Sequence, residues 1–340
     1  MTLKEIAEIA GVSPSTVSRV IHNNGDKCAS KAVQDRIWDI VGKTGYEPNK
    51  FAQGLKLSKE TEAKKADKKG IACIFARVKD FYNDQFFSSI YRVAEQETFK
   101  QEHATIKYAL SFTQLSNSES VQMVENMQVD GAIILGRCNK NLMQFLINHY
   151  KNVVYVGLNS VNFPIDQIIC NGFNLAQEAV NYLNLLGHTE IGYIGEIDNE
   201  SRYRGYCDQM EKLKLKVNRD FIADVPLTAD DGYRGAKELM SKAKRPTGIF
   251  CCNDITAVGA IKAIKEMNLK IPEDISIISI DNIEMAQYVT PMLTTVSVPK
   301  DEMGRMAVKI LLDRIQNGHV LPLRIDLPFK IIKRESCCRK

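Results

Sequence analysis

Ser15, Thr16, Ser18 and Arg19 lie close together in the stretch SPSTVSRVI, and their types suit one chemistry. A guanidinium can pair bidentately with O6 and N7 of guanine, and short hydroxyls can bond base edges or phosphates. Val17, Val20 and Ile21 are interleaved at helical spacing. A helix would therefore turn the apolar side chains one way and the polar ones the other. A short helix with that outer face is suited to the major groove of DNA.

Such a helix needs neighbours to hold it. Thr2 and Glu5 stand at capping-box spacing, so Thr2 can cap a first helix. Leu3, Ile6, Ala7 and Ala10 form its apolar face, and Gly11 supplies the left-handed residue at its end. Ser13 is a good N-cap for the second helix, and Pro14 is tolerated in its first turn. A third helix is predicted over residues 30–44, with Val33, Ile37, Ile40 and Val41 inward and Gly45 as its stop. Trp38, the only tryptophan, is expected to pack within this bundle.

The charge supports a DNA-contacting head. Residues 1–69 hold 13 basic and 9 acidic side chains, whereas the remainder holds 32 of each. The net charge of +4 therefore lies in the N-terminal fifth of the 340 residues. No apolar run is long enough to cross a membrane, and the chain opens on a charged amphipathic segment with no signal peptide. Nine cysteines, mostly in apolar runs, fit a reducing cytoplasm, and neither Cys251–Cys252 nor Cys337–Cys338 has metal-ligand spacing. No phosphate loop, GxSxG, HExxH or CxxC occurs, so neither an enzyme nor a cofactor is expected.

Residues 58–69, SKETEAKKADKK, read as a charged linker. Beyond it, short apolar runs alternate with helix-length segments. Strands are predicted at 71–76, 104–109, 131–135, 153–156, 191–195, 248–252 and 275–280. Helices between them include 85–100, 117–128, 173–186, 201–214, 231–243 and 255–267. This alternation implies α/β architecture: parallel sheets with helices on both faces, and ligands at the carboxyl ends of the strands.

Several blocks together resemble the LacI/GalR family of bacterial repressors. They are LKEIAEIAGVSPSTVSRVI, GYEPNKFAQGLK at 45–56, LNLLGHTEIGYIGE at 183–196, RYRGY at 202–206, the segment 247–288 and PMLTTVSVP at 291–299. The resemblance implies a helix-turn-helix domain at 1–46, a hinge helix at 47–57, a linker at 58–69 and a core at 70–340. That core would have the type I periplasmic-binding-protein fold. Its N-subdomain would take about 70–163 and 296–325, and its C-subdomain about 164–292 and 328–340, with crossings near 161–166, 291–297 and 324–330.

For DNA, the resemblance implies base contacts from Pro14, Ser15 and Arg19, and backbone contacts from Thr2, Ser13, Thr16, Ser18, Tyr46 and Asn49. In the hinge helix, Ala52 and Leu55 would share a face, with Leu55 wedged into the minor groove. For the effector it implies Asn83, Phe86, Asn171, Arg202, Asn253 and Asp281. An arginine, an acid and an amide around an aromatic ring suit a polyhydroxylated ligand. The expectation is thus a cytoplasmic homodimer that binds a pseudo-palindromic operator and answers to a small ligand, a sugar or sugar derivative. The alternatives are a carbohydrate receptor without DNA activity, or a relative controlled by a protein or nucleobase corepressor. His188 is expected to pack at a turn rather than bind ligand.

Overall fold

The computed structural model describes residues 3–22, 29–44, 68–78, 84–101, 103–113 and 118–340. Expectations placed on Thr2, Gly45, Tyr46, Asn49, Ala52, Leu55 and Asn83, and on the hinge helix, lie outside the described residues. The chain divides into two compact units, Met1–Asp67 and Lys68–Lys340.

The first unit contains α1 (Leu3–Ala10), α2 (Pro14–His22) and α3 (Lys31–Thr44). Ile6, Ala7 and Ala10 of α1, Val17 and Val20 of α2, and Ile37 and Ile40 of α3 form one buried cluster. Gly11 adopts φ +65°. Its N–H bonds the Glu8 carbonyl and the Val12 N–H bonds the Ala7 carbonyl, the paired bonds of a Schellman turn. Arg36 of α3 donates to the Ala10 carbonyl at 3.3 Å. Ser13 Oγ accepts from the Thr16 N–H at 3.3 Å, capping α2. Trp38 departs from expectation: it is 45% exposed. The inward face of α3 is already taken by Ile37 and Ile40, and the next residue along a helix points about 100° away.

The second unit holds two six-stranded sheets. The first comprises β1 (Lys69–Phe75), β2 (Ala104–Ser111), β3 (Gly131–Leu135), β4 (Val153–Gly157), β5 (Asp166–Ile169) and β11 (Arg324–Asp326), in the order β11-β5-β4-β3-β1-β2. All its pairings are parallel. The second comprises β6 (Ile191–Gly195), β7 (Ile222–Asp224), β8 (Gly248–Cys251), β9 (Ser276–Asp281), β10 (Thr294–Ser297) and β12 (Lys330–Ile332), in the order β12-β10-β9-β8-β6-β7. It is parallel except where β12 runs antiparallel to β10. Central strands such as GAIIL and SIISID are buried along their whole length, because helices cover both faces.

Those helices are α4 (Gln85–Lys100), α5 (Ser118–Glu125), α6 (Lys140–His149), α7 (Gly172–Leu185), α8 (Ser201–Lys212), α9 (Ala229–Ser241), α10 (Asp254–Glu266) and α11 (Lys300–Ile315). Gly205 lets α8 lie against α7: a Cβ there would sit 2.2 Å from the Phe173 carbonyl oxygen. His188 is buried as expected, with its ring nitrogens 3.0 Å from Thr247 Oγ1 and 2.9 Å from Ser276 Oγ.

Strand pairing puts the first two crossings between lobes a few residues beyond 161–166 and 291–297, and the last within 324–330. Strand β5 pairs with β4, so residues 166–169 belong to the first sheet, not the second, and the chain leaves that sheet only after Ile169. Likewise β10 pairs with β9, so the return follows Ser297. The last crossing is the short segment between β11 and β12. Hydrogen-bond partnership, which the crossing positions alone do not specify, sets these limits.

Candidate functional site

In the head, Ser13, Pro14, Ser15 and Arg19 are exposed and Thr16 is half-buried, while Val17 and Val20 face the core. Helix α2 therefore presents Ser15 and Arg19 on the face opposite its buried Val17 and Val20.

The body carries a cavity of about 240 Å³ between the two lobes. Phe86, Arg202, Asn253 and Asp281 all line it. Phe86 opens α4 and packs edge-on against Phe87, with ring centroids 5.0 Å apart. Asn253 caps α10, where its Oδ1 accepts the Thr256 N–H at 2.9 Å. Asn171 does not line the cavity. Its Oδ1 instead accepts the Phe173 and Asn174 N–H groups at 3.0 and 3.4 Å, capping α7. The first turn of α7 has orphan N–H groups, and this amide oxygen satisfies two of them.

Arg202 is 4% exposed. Its Nε and Nη2 bond Glu200 Oε1 and Oε2 at 2.9 and 3.1 Å, and its Nη1 reaches the Cys252 carbonyl at 3.0 Å. Burial alone would raise the Glu200 carboxyl. The Arg202 charge and hydrogen bonds, with Arg77 nearby, hold it far below its ordinary value instead.

Asp281 ends β9 with φ +121°, and Asn282 follows at +51°. Two successive non-glycine residues at positive φ need support. Thr295 Oγ1 accepts the Asn282 N–H at 3.2 Å, and Arg334 Nη2 donates to Asn282 Oδ1 at 2.7 Å. Lys300 Nζ donates to the carbonyls of both Asp281 and Asn282. The loop is further braced by Asp254, which accepts from Ser279 Oγ, Thr295 Oγ1 and the Ile283 N–H. Held this way, Asp281 keeps its Oδ1 buried with no hydrogen-bond partner among the described residues. Burial, then the neighbouring Asp254, pushes its carboxyl well above the ordinary range.

The sequence reading missed Arg77, Arg137, Glu196 and Glu200, which line the same cavity. Arg77 follows β1, Arg137 follows β3 and Glu196 follows β6, so each stands beyond the carboxyl end of a parallel strand. That placement was the available signal. Arg77 Nη2 lies 2.9 Å from Glu196 Oε2, and Arg137 Nη2 lies 3.4 Å from the same oxygen. These pairs join the first lobe to the second.

Comparison with known proteins agrees with this architecture. Residues 2–49 match the family described as bacterial regulatory proteins, lacI family, and residues 180–337 match the periplasmic binding protein-like domain. The chain is 30% identical over 344 aligned residues to the HTH-type transcriptional repressor PurR of Escherichia coli O139:H28, covering 98% of this chain and 96% of that one. PurR of Shigella dysenteriae serotype 1 matches to the same extent. Among solved structures, a CelR–cellobiose complex superimposes with TM-score 0.71 at 21% identity, over 99% of each chain. A LacI family regulator from Enterococcus faecium with bound ribose gives 0.70 at 26% identity, over 80% of this chain and 100% of that one. The head's match removes the alternative of a receptor without DNA activity. Likeness across head and body together makes this chain a member of the lacI family, a DNA-binding transcriptional repressor and not an enzyme.

Proposed function

We propose that a small polyhydroxylated ligand, a sugar or sugar derivative, controls this repressor from the cavity between the lobes. One observation carries the reading: Asp281, a buried acid in a braced and strained loop, lines that cavity, and its Oδ1 has no hydrogen-bond partner among the described residues. A ligand hydroxyl would satisfy it. Arg202 and Asn253 supply further polar contacts, and Phe86 supplies an apolar wall. The ribose and cellobiose bound to structural neighbours support a sugar.

The working form is a cytoplasmic homodimer on a pseudo-palindromic operator, with Arg19 reading guanine and Pro14 and Ser15 at neighbouring bases. Ser13, Thr16 and Ser18, with Thr2, Tyr46 and Asn49, position the head on phosphates. Ligand changes the angle between lobes, which separates the paired hinge segments carrying Ala52 and Leu55. Operator affinity then falls by about 1–3 kcal/mol. Fluorescence anisotropy on a selected operator, with and without candidate sugars, tests this. Weaker DNA binding is expected, and tighter binding makes the ligand a corepressor. Affinity untouched by every sugar tried sinks the proposal.

A further inference from the structure

Arg77 and Arg137 follow the neighbouring strands β1 and β3, and their guanidiniums converge on one oxygen, Glu196 Oε2. Both also approach Glu200 Oε2, at 3.5 and 3.7 Å. Glu200 is already engaged, because Arg202 takes both of its oxygens. Glu196 is therefore the principal carboxylate for two guanidiniums, and it reaches them from the opposite lobe. Its side chain remains 36% exposed, unlike the 1% of Glu200. It is a partly solvated group lodged at the cleft, not a core ion pair.

The three guanidiniums around the cavity outnumber the carboxylates that form ion pairs with them. Three guanidiniums, which stay protonated, face Glu196 and Glu200. Asp84 and Asp281 also line the space, but burial drives each toward its neutral form, in Asp281 with help from Asp254. Asp84 is further occupied in capping α4, accepting the Phe87 N–H at 2.7 Å. The Arg77–Arg137 fork shares one principal carboxylate, Glu196, and burial and then the Arg77 charge weigh against the charged form of Arg137.

Planar guanidiniums side by side match the oxygens of a carboxylate or phosphate, a charge-assisted pairing that a neutral hydroxyl does not make. Taking the cleft as the effector site proposed above, we infer that the effector is an anionic polyol. Its carboxylate or phosphate sits in the Arg77–Arg137 fork in place of the Glu196 carboxylate, and its hydroxyls meet Asp281 and Asn253. Glu196 is the stand-in for the anion and swings to solvent when the effector enters.

Calorimetric titration of the full chain with paired ligands tests this. D-glucose and D-ribose are set against D-glucuronate, glucose 6-phosphate and ribose 5-phosphate, so acid and phosphate arms separate the two sources of charge. An anionic member is expected to bind roughly tenfold or more tighter than its neutral parent, the worth of one charged hydrogen bond. Arg137→Gln removes most of that preference, and Glu196→Gln, lacking the competing carboxylate, tightens the anionic ligand. A neutral sugar binding as tightly as its anionic partner, and weakened by Glu196→Gln, overturns the inference while sugar control stands. Inorganic phosphate separates the remaining outcomes. Thermal stabilisation by phosphate that Arg137→Gln abolishes, with no sugar bound, keeps the anion seat and sinks the sugar reading. No effect of sugars or phosphate overturns both.

Discussion

Arg202 and Glu200 hold two charges that water would otherwise solvate, and the pair is stable only because both members are present. Arg202→Gln would leave a buried carboxylate with Arg77 and Arg137, at 3.5 and 3.7 Å, as its remaining partners. The expected loss is about 3 kcal/mol, the low end for breaking a buried pair, measured by urea denaturation. The pH dependence has a definite sign. The folded Glu200 carboxyl lies below its ordinary 4.5, so its contribution is present above that pH and is lost as pH falls further. The variant's acid limb should therefore be shallower than the wild type's. On α2, Arg19→Ala should cost about 1–3 kcal/mol on the preferred operator and relax selection at one base pair of each half-site. Binding-site selection from random DNA reads this directly, and an unchanged preference would remove Arg19 from base reading.

At the scale of elements, close backbone approach matters more than side-chain chemistry. Gly205 sits on α8 one turn after Arg202, where a Cβ would meet the Phe173 carbonyl of α7. Gly205→Val must push the two helices apart, at a cost of about 3 kcal/mol, the upper range for overpacking against an unyielding backbone atom. Because Arg202 rides on the same helix, ligand affinity should drop in the same variant, whereas a purely thermodynamic effect would leave it intact below the melting point. Gly11 presents the opposite case. Nothing lies within 4 Å of a Cβ there, yet φ is +65°. Gly11→Ala should destabilise the head by about 1–2 kcal/mol, and Gly11→Asn by less, as read from its thermal melt. This turn and the inward faces of α1 and α2 were legible in the sequence because they depend on residues a few positions apart. Trp38 was expected to pack, but Ile37 and Ile40 already fill the inward face of α3 and leave it exposed.

Across the whole molecule, a joint at the starts of β5 and β11 is expected to respond to pH. His319 Nδ1 lies 2.5 Å from Asp313 Oδ2, and its Nε2 lies 3.0 Å from Asp166 Oδ2. Arg314 also binds Asp166, and the Leu323 N–H donates to it at 2.7 Å. The joint ties α11 and the entry to β11 to the start of β5. The Asp313 hydrogen bond, then that of Asp166, raises the imidazole above its ordinary 6.5. A raised folded value means the stabilisation is complete below pH 6.5 and disappears as pH rises through the folded value. Thermal melts across pH 5.5–8.5 should show this loss in the wild type, and His319→Gln should flatten it.

What the sequence alone determined about this protein is what local spacing can encode. The three-helix head, its exposed polar face and the parallel strand–helix alternation each follow from periods of 3.6 or from short apolar runs. Phe86, Arg202, Asn253 and Asp281 were legible because family blocks place them beside strand ends and helix starts. Only the tertiary structure decided which sheet owns β5 and β10, because strand pairing is a contact between distant segments. It alone turned Asn171 into a cap. It alone brought Arg77, Arg137, Glu196 and Glu200 together from positions up to 123 residues apart, since charges cluster through the closing of two lobes and not through their order along the chain.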